Sequence, residues 1–449
     1  FERRGVVKRL LKLSLIACCV ALTGCTSINF GVDGLITAPK LTQEQSEIHQ
    51  ALVSAVGGNI NLKYPKDGDN RSAYVIKNID NEPGNEALVF YEYTGAEKKE
   101  GLKVNVLDKN DDDKWYSVKE FAGIGSEVSR VIISDMGNNS QTDIVIGYAN
   151  PTGDEKSLEV YSYSNGEIKT IGKANYSLLE SYDINNDGID ELLVISKNKN
   201  KLNKKKSFSY IASLLEVQDN ELIKTSSIEM LNNVASYVNV VKGKIGDTTP
   251  AFFIDELNNE NELQTEILYL KDDTLRTPDK CVELLPVCTR ITGYYSQDFD
   301  GDGAVEIPSV KTMIGYENAI EEEKLYLTEW YAFEDENQYS KKYSGYYSIS
   351  DGFVMTFPAR WDGQVTVKTD LQSQETVFYK YNGDINGKMT ELMRIAVASD
   401  DDKSSYLYNG YKIISTNGRI DYLVKLSNDK EEPLIPTIDE VENSFFVVG

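Results

Sequence analysis

Nine residues carrying oxygen at alternate positions recur along this chain, and few folds accommodate such a pattern more than once. The pattern is complete at Asp183-Ile-Asn-Asn-Asp-Gly-Ile-Asp-Glu191, which runs straight into Leu192-Leu193-Val194. It is complete again at Asp298-Phe-Asp-Gly-Asp-Gly-Ala-Val-Glu306. Alternate side chains of a turning backbone point at one centre, glycine permits the sharp bend, and a hard cation such as Ca²⁺ takes six to eight oxygens at roughly 2.3–2.6 Å. An EF-hand would need a helix on each side, and an apolar, strand-like run follows the first loop instead. So many carboxylates in so short a span repel one another unless a cation balances them. Oxygen-only donors disfavour zinc and copper. The expected side-chain ligands are Asp183, Asn185, Asp187 and Glu191 in one loop and Asp298, Asp300, Asp302 and Glu306 in the other, with the carbonyls of Ile189 and Ala304 completing each set.

Weaker copies fill the intervals. Asn78 to Glu86 keeps Asp80, Glu82 and Glu86 as a poorer ligand set, with Pro83 where glycine belongs; Asp135 to Asp143 is poorer still. Lys242 to Pro250 keeps the length and has lost the acids. Starts at 78, 135, 183, 242 and 298 are separated by 57, 48, 59 and 56 residues, a period in the range of propeller blades and repeat arrays. Between loops the chain reads as short strands divided by turns, as in Leu158–Tyr163, Asn165-Gly166 and Glu167–Ile171. The construction is therefore mainly β.

These units resemble FG-GAP/VCBS repeats, the blades of integrin-α-type β-propellers, whose loops follow D-x-[DN]-x-D-G-x-x-[DE]. The resemblance implies a β-propeller over residues 59–341 with structural Ca²⁺ between two strands of a blade. Five units are counted, and six or seven blades stay open because family rings often hold seven. The period stops near residue 342, where a small C-terminal α+β domain (342–449) is expected to begin with Tyr346–Trp361. Before the repeats, Thr42 and Gln45 mark a capping box for a helix from Gln43 to Val56.

Basic residues up to Lys12, an apolar stretch and Leu22-Thr-Gly-Cys25 resemble a bacterial lipoprotein signal peptide with its lipobox. That implies removal of residues 1–24, lipid attachment at Cys25 and a tether leading into the helix within 25–58, with the rest anchored to the cell membrane and facing away from the cytoplasm. The apolar stretch is too short to persist as a spanning helix. Export permits a disulfide between Cys281 and Cys288, and a reduced pair is as open.

The formal charge of -24 disfavours nucleic acid as a partner. Catalysis finds little support: His49 is the single histidine, read as a packing or surface residue on the helix, and no phosphate-cradling glycine loop is present. The expected function is a lipid-anchored surface binding or adhesion protein recognising a glycan, a cell-wall component or an exported protein. The alternatives are a carboxylate-dependent carbohydrate-active enzyme, which needs only two suitably separated acids, and a structural role in envelope assembly. Lys197–Lys206 is a basic island, read as a solvated loop.

Overall fold

A computed structural model of the chain describes residues 41–94, 101–137, 142–149, 155–164, 166–202 and 208–448. The leader, Cys25 and the tether to residue 40 lie outside the described residues, as do Asn139, Asn165 and much of the lysine island.

Helix α1 (Gln43–Val56) starts at Thr42, whose hydroxyl accepts from the Gln45 N–H while the Gln45 side chain accepts from Thr42 N–H, the expected capping box. Antiparallel strands then follow in meanders. The first sheet holds β1 (Ile60–Leu62) and β2 (Tyr74–Lys77), both along β3 (Glu86–Tyr93), then β4 (Leu102–Lys109) and β5 (Trp115–Ala122). The second holds β6 (Glu127–Ser134), β7 (Asp143–Ala149), β8 (Lys156–Ser164) and β9 (Glu167–Tyr176) in that order. The third holds β10 (Leu178–Tyr182), β11 (Glu191–Leu202), β12 (Phe208–Gln218) and β13 (Glu221–Glu229). The fourth holds β14 (Val234–Ile245), β15 (Thr249–Asn258), β16 (Leu263–Lys271) and β17 (Thr274–Arg276), followed by helix α2 (Cys281–Cys288). The fifth holds β18 (Ile307–Thr312), β19 (Tyr326–Asp335), β20 (Gln338–Ser348) and β21 (Phe353–Thr356).

Burial explains the composition of the strands. Strands β3 and β7 are covered on both faces and are near-continuous apolar runs; β9 and β13 are the outer edges of the second and third sheets and alternate with charged residues. Consecutive sheets share cores. Leu88, Phe90 and Val104 of the first sheet meet Val131, Ile144 and Ile146 of the second. Val145 and Leu158 meet Leu192 and Val194 of the third, and Leu193 and Ala212 meet Phe252 and Ile254 of the fourth. Phe253 and Ile267 meet Ile307 and Phe333 of the fifth. The other face of the first sheet, with Ala87, Val89 and Tyr91, packs on Ile48 and Leu52 of α1. A helix thus occupies the face that a final blade would cover in a ring.

The fifth sheet runs past residue 342: β20 and β21 pair across 345–356, while Tyr346, Phe353 and Met355 bury themselves against Val367, Phe378 and Ile395 of the module that follows. A sixth sheet follows, in the order β22 (Val365–Asp370), β23 (Glu375–Lys380), β24 (Thr390–Ser399), β26 (Ile420–Leu426), β25 (Lys412–Asn417). Helix α3 (Lys403–Tyr408) lies between β24 and β25. Helix α4 (Ile438–Ser444) leads to β27 (Phe445–Val447), which pairs with β21 and ties the chain's end back to the fifth sheet.

Cys281 and Cys288 are both free and buried. They stand at the two ends of α2, seven residues apart on a helix, hence about 10.5 Å apart along its axis. A disulfide needs Cα atoms within roughly 7 Å, so the bridge is geometrically barred. Burial pushes both thiols up to about 12.

Candidate metal loops and an interstrand cleft

The acidic loops occupy one structural position. Asn78–Glu86 joins β2 to β3, Asp135–Asp143 joins β6 to β7, and Asp183–Glu191 joins β10 to β11. Asp298–Glu306 follows a short antiparallel bridge, Gln297 with Glu306, and enters β18. The first three are thus hairpin turns between paired strands, and the fourth leads into β18, the first strand of its sheet, with the Gln297–Glu306 bridge in place of a preceding strand. In all four the closing acid accepts the N–H of the loop's second residue: Ile79 to Glu86 at 2.7 Å, Met136 to Asp143 at 3.3 Å, Ile184 to Glu191 at 3.0 Å and Phe299 to Glu306 at 3.2 Å. That shared bond fixes the carboxyl inward at the mouth of the sheet. The copy at Lys242, without the alternating acids, is a tight β14–β15 hairpin; its Lys244 N–H donates to Gly303 O at 2.8 Å, docking it against the Asp298 loop.

The backbone turns alike as well. The fourth loop residue has positive φ in three copies, Asn81 at 62°, Asn186 at 62° and Gly301 at 78°. Gly188 and Gly303 then sit near 90° and 91°, a conformation closed to proline. Pro83 at that position shifts the left-handed residue to Gly84, which explains why the Asn78 copy does not close in the same way.

The Asp298 loop comes nearest to a finished cation site. Carboxylate oxygens of Asp298, Asp300 and Glu306 all lie within 4.8 Å of one another. Ligands on opposite sides of a bound Ca²⁺ stand about 4.6–5.2 Å apart, so the three fit around one ion. Asp298 also accepts from Gly301 N and Gly303 N at 2.8 and 2.9 Å, and Tyr343 on β20 donates to Asp300 at 2.6 Å. Asp302 stands apart from the triad, accepting from Ala304 N at 2.7 Å. Glu306 is 1% exposed, and burial, reinforced by Asp300, pushes its carboxyl up to about 8. A divalent ion would reverse that shift, and the donor set suits a hard cation.

The Asp183 loop has the same frame with a different interior. Asp183 accepts from Asp187 N at 3.0 Å and Gly188 N at 2.9 Å, and Asp187 from Ile189 N at 2.9 Å. The Asn185 amide nitrogen points at Glu191 (2.6 Å) and Asp187 (3.0 Å), filling with a donor the space between acids. Rotating that amide presents its oxygen instead. Burial first, then Asp187 and other acids, pushes Glu191 up to about 7. In the weaker copies Asp80 accepts from Glu82 N at 2.9 Å, Glu86 is raised by burial and Asp143 is pushed up to about 6. His49 is half-buried with Nδ1 at 2.9 Å from the Tyr74 hydroxyl, a packing role.

The rim loops touch in sequence order. Asp190 N donates to Asp135 O at 3.3 Å, Ser134 Oγ donates to Asp190 at 2.8 Å, and Asn186 Nδ2 donates to Thr248 O at 3.5 Å.

A second feature was not legible in the sequence. A cleft of about 360 Å³ opens where β6, β10 and β14 meet the 67–71 loop. Arg130 bridges two of these elements, donating to Glu180 at 2.5 Å and Asp67 at 3.3 Å, and Lys242 stands 3.6 Å from Glu180. Its lining comes from five separated segments that no local pattern connects.

No family model matches the chain. Over 98 residues, 20% of this chain, it is 35% identical to protocadherin alpha-5 of Pan troglodytes and, equally, of Homo sapiens. It spans about a tenth of the length of these curated relatives (10%). Solved structures similar to part of it include the exotype rhamnogalacturonan lyase YesX, at 9% identity and TM-score 0.31, covering 74% of this chain and 73% of the lyase. The Bacillus licheniformis rhamnogalacturonan lyase PL11 aligns at 10% identity and TM-score 0.31, covering 74% and 77% of the two chains. The periplasmic gluconolactonase PpgL of Pseudomonas aeruginosa aligns at 14% identity and TM-score 0.28, covering 68% and 81%. What is established of this chain is a mainly β protein of serial antiparallel sheets, four of which carry an acidic turn ahead of β3, β7, β11 or β18.

Proposed function

We propose that this chain is a Ca²⁺-braced binding protein, exported and held to the membrane by lipid at Cys25, whose sheets form an open, propeller-like arc. The observation that supports it most is the convergence of Asp298, Asp300 and Glu306 within 4.8 Å at a turn shared by successive sheets. In this reading Ca²⁺ is structural: it neutralises the acids and holds the turn rigid, and the surface carried by the sheets does the recognition. Asp183, Asn185, Asp187 and Glu191, with the Ile189 carbonyl, hold a second ion after the Asn185 amide turns over. Ala304 supplies the carbonyl at the first site, and Asp302 joins through a small rearrangement. The ligand class is a glycan, a cell-wall component or another exported protein.

Calorimetric titration of Ca²⁺ into chelator-stripped protein, with melting in both states, tests the brace. Saturable binding and a higher melting temperature are expected; no heat and no shift would remove it. A glycan array run beside a hydrolysis screen tests recognition. Turnover of a bound sugar, abolished by one carboxylate change, would replace the binding reading with a carbohydrate-active enzyme. Mass spectrometry of the mature N-terminus should find diacylglyceryl-Cys25.

A further inference from the structure

The cleft between the first strands carries charge of the opposite sign to the rest of the molecule. Arg71, Arg130, Lys156 and Lys242 line it against Asp67, Asp69 and Glu180, an excess of cation in a chain whose net charge is -24. The distribution of partners is more telling than the count. Arg130 and Glu180 are already committed to each other, and both are largely buried. Arg71 uses Nε on Gly68 O at 3.0 Å and forms no ion pair among the described residues. Lys156 forms none either, and lies 5.8 Å above the Tyr176 ring. Lys242 has only the 3.6 Å approach to Glu180, too long for a hydrogen bond. With 71 acids to 47 bases in the chain, two cations without an ion pair among the described residues and a third held only in a long one, all in one concave site, are not a consequence of short supply.

We propose that this cleft binds the oxyanion, carboxylate or phosphate, of a saccharide-sized ligand, with Arg71 and Lys242 as its main contacts. Arg71 offers its two terminal nitrogens as a planar fork that matches either group, and Lys242 adds a point charge from β14. The Arg130–Glu180 pair forms the rigid floor joining β6 to β10. A volume near 360 Å³ suits a mono- or disaccharide, within the usual range of about 300–1,000 Å³ for ligand sites. The acidic exterior repels free anions at long range, so affinity rests on short-range pairing, and it weakens with salt. The inference deepens the binding reading above and rests on it.

The test is titration of the full chain, calcium-loaded, with glucuronic acid, glucose 6-phosphate and glucose, which share a ring and differ in the oxyanion. Binding of one or both anionic sugars and none of glucose is expected, and which one binds separates carboxylate from phosphate. Arg71→Gln with Lys242→Gln should weaken that binding at least tenfold while melting temperature and Ca²⁺ titration stay unchanged. Equal binding of glucose, undiminished binding by the double variant, or no binding of either anion would overturn the proposal. The broader reading fails by different results, namely turnover on the hydrolysis screen or an array that captures nothing. A neutral glycan captured on the array with these probes silent would sink the cleft alone.

Discussion

Replacing Glu306 by Gln should change the sign of its effect on stability when calcium is added. Without an ion, Glu306 is an acid buried beside Asp298 and Asp300, and its carboxyl is pushed from 4.5 up to about 8. A group whose folded value lies above its unfolded one costs nothing below pH 4.5, and stability is lost as pH rises from there toward about 8. Over the 2.5 units between 4.5 and pH 7 the cost reaches roughly 3 kcal/mol at 1.36 kcal/mol per unit. Glutamine keeps an oxygen to accept Phe299 N–H and carries no charge. In chelator, Glu306→Gln should therefore melt several degrees above the wild type at pH 7, with the gap closing near pH 4.5. In excess Ca²⁺ the wild-type carboxylate is a ligand, and ion binding at about a hundred times its dissociation constant adds about 2.7 kcal/mol. The variant loses most of that gain and should melt lower. Melting curves of both proteins at pH 5 and pH 7, with chelator and with calcium, give the four comparisons. A variant less stable than wild type in chelator at pH 7, or equally stabilised by calcium, would refute the reasoning.

Tyr343→Phe removes the hydroxyl that orients Asp300 from across the fifth sheet; Ca²⁺ affinity at that loop should fall about tenfold by calorimetry, with little change in the chelated melting temperature. Glu256 and Glu266 are both buried between the third and fourth sheets, with Glu256 held well above the usual carboxylate range by burial and Glu266 pushed up to about 7. Their contribution is intact below about pH 4.5 and is lost as pH rises toward 7 and beyond, so Glu256→Gln should raise the melting temperature at pH 8 and leave it little changed at pH 5. Leu52→Ala empties a fully buried position under the first sheet and should cost about 2–5 kcal/mol in denaturant titrations. Cys281 and Cys288 should resist alkylation in the folded protein and react after unfolding, and non-reducing electrophoresis should show no bridged form.

The recurring loops were legible because their chemistry is local. Nine residues contain the donors, the glycine and the start of the next strand, so spacing alone placed Asp183 and Asp298 at equivalent turns. Strand identity followed from apolar runs such as Ala87–Phe90 and Ala251–Ile254, which only a doubly covered strand requires. The helix from Gln43 to Val56 announced itself through its cap, whereas the sheet face it covers depends on packing far along the chain. The same limit hid Tyr343, which is 43 residues from the carboxylate it holds. Residues 342–356 read as a new module because the acidic period had ended; their side chains Tyr346 and Phe353 do pack against that module, yet their backbone pairs into the fifth sheet. Between the cysteines the buried face of Cys281, Leu284 and Cys288 makes a helix that holds despite Pro286. The cleft was invisible, since its walls meet only after the sheets have stacked.

The central claim is that a cation sits among the carboxylates of a shared turn. The most direct measurement is anomalous scattering from crystals of the protein grown in calcium. A peak within about 2.3–2.6 Å of oxygens of Asp298, Asp300 and Glu306, with a second in the Asp183 loop, is the predicted result. Saturating calcium with no peak at either turn, and the carboxylates arranged as they are without metal, would contradict it.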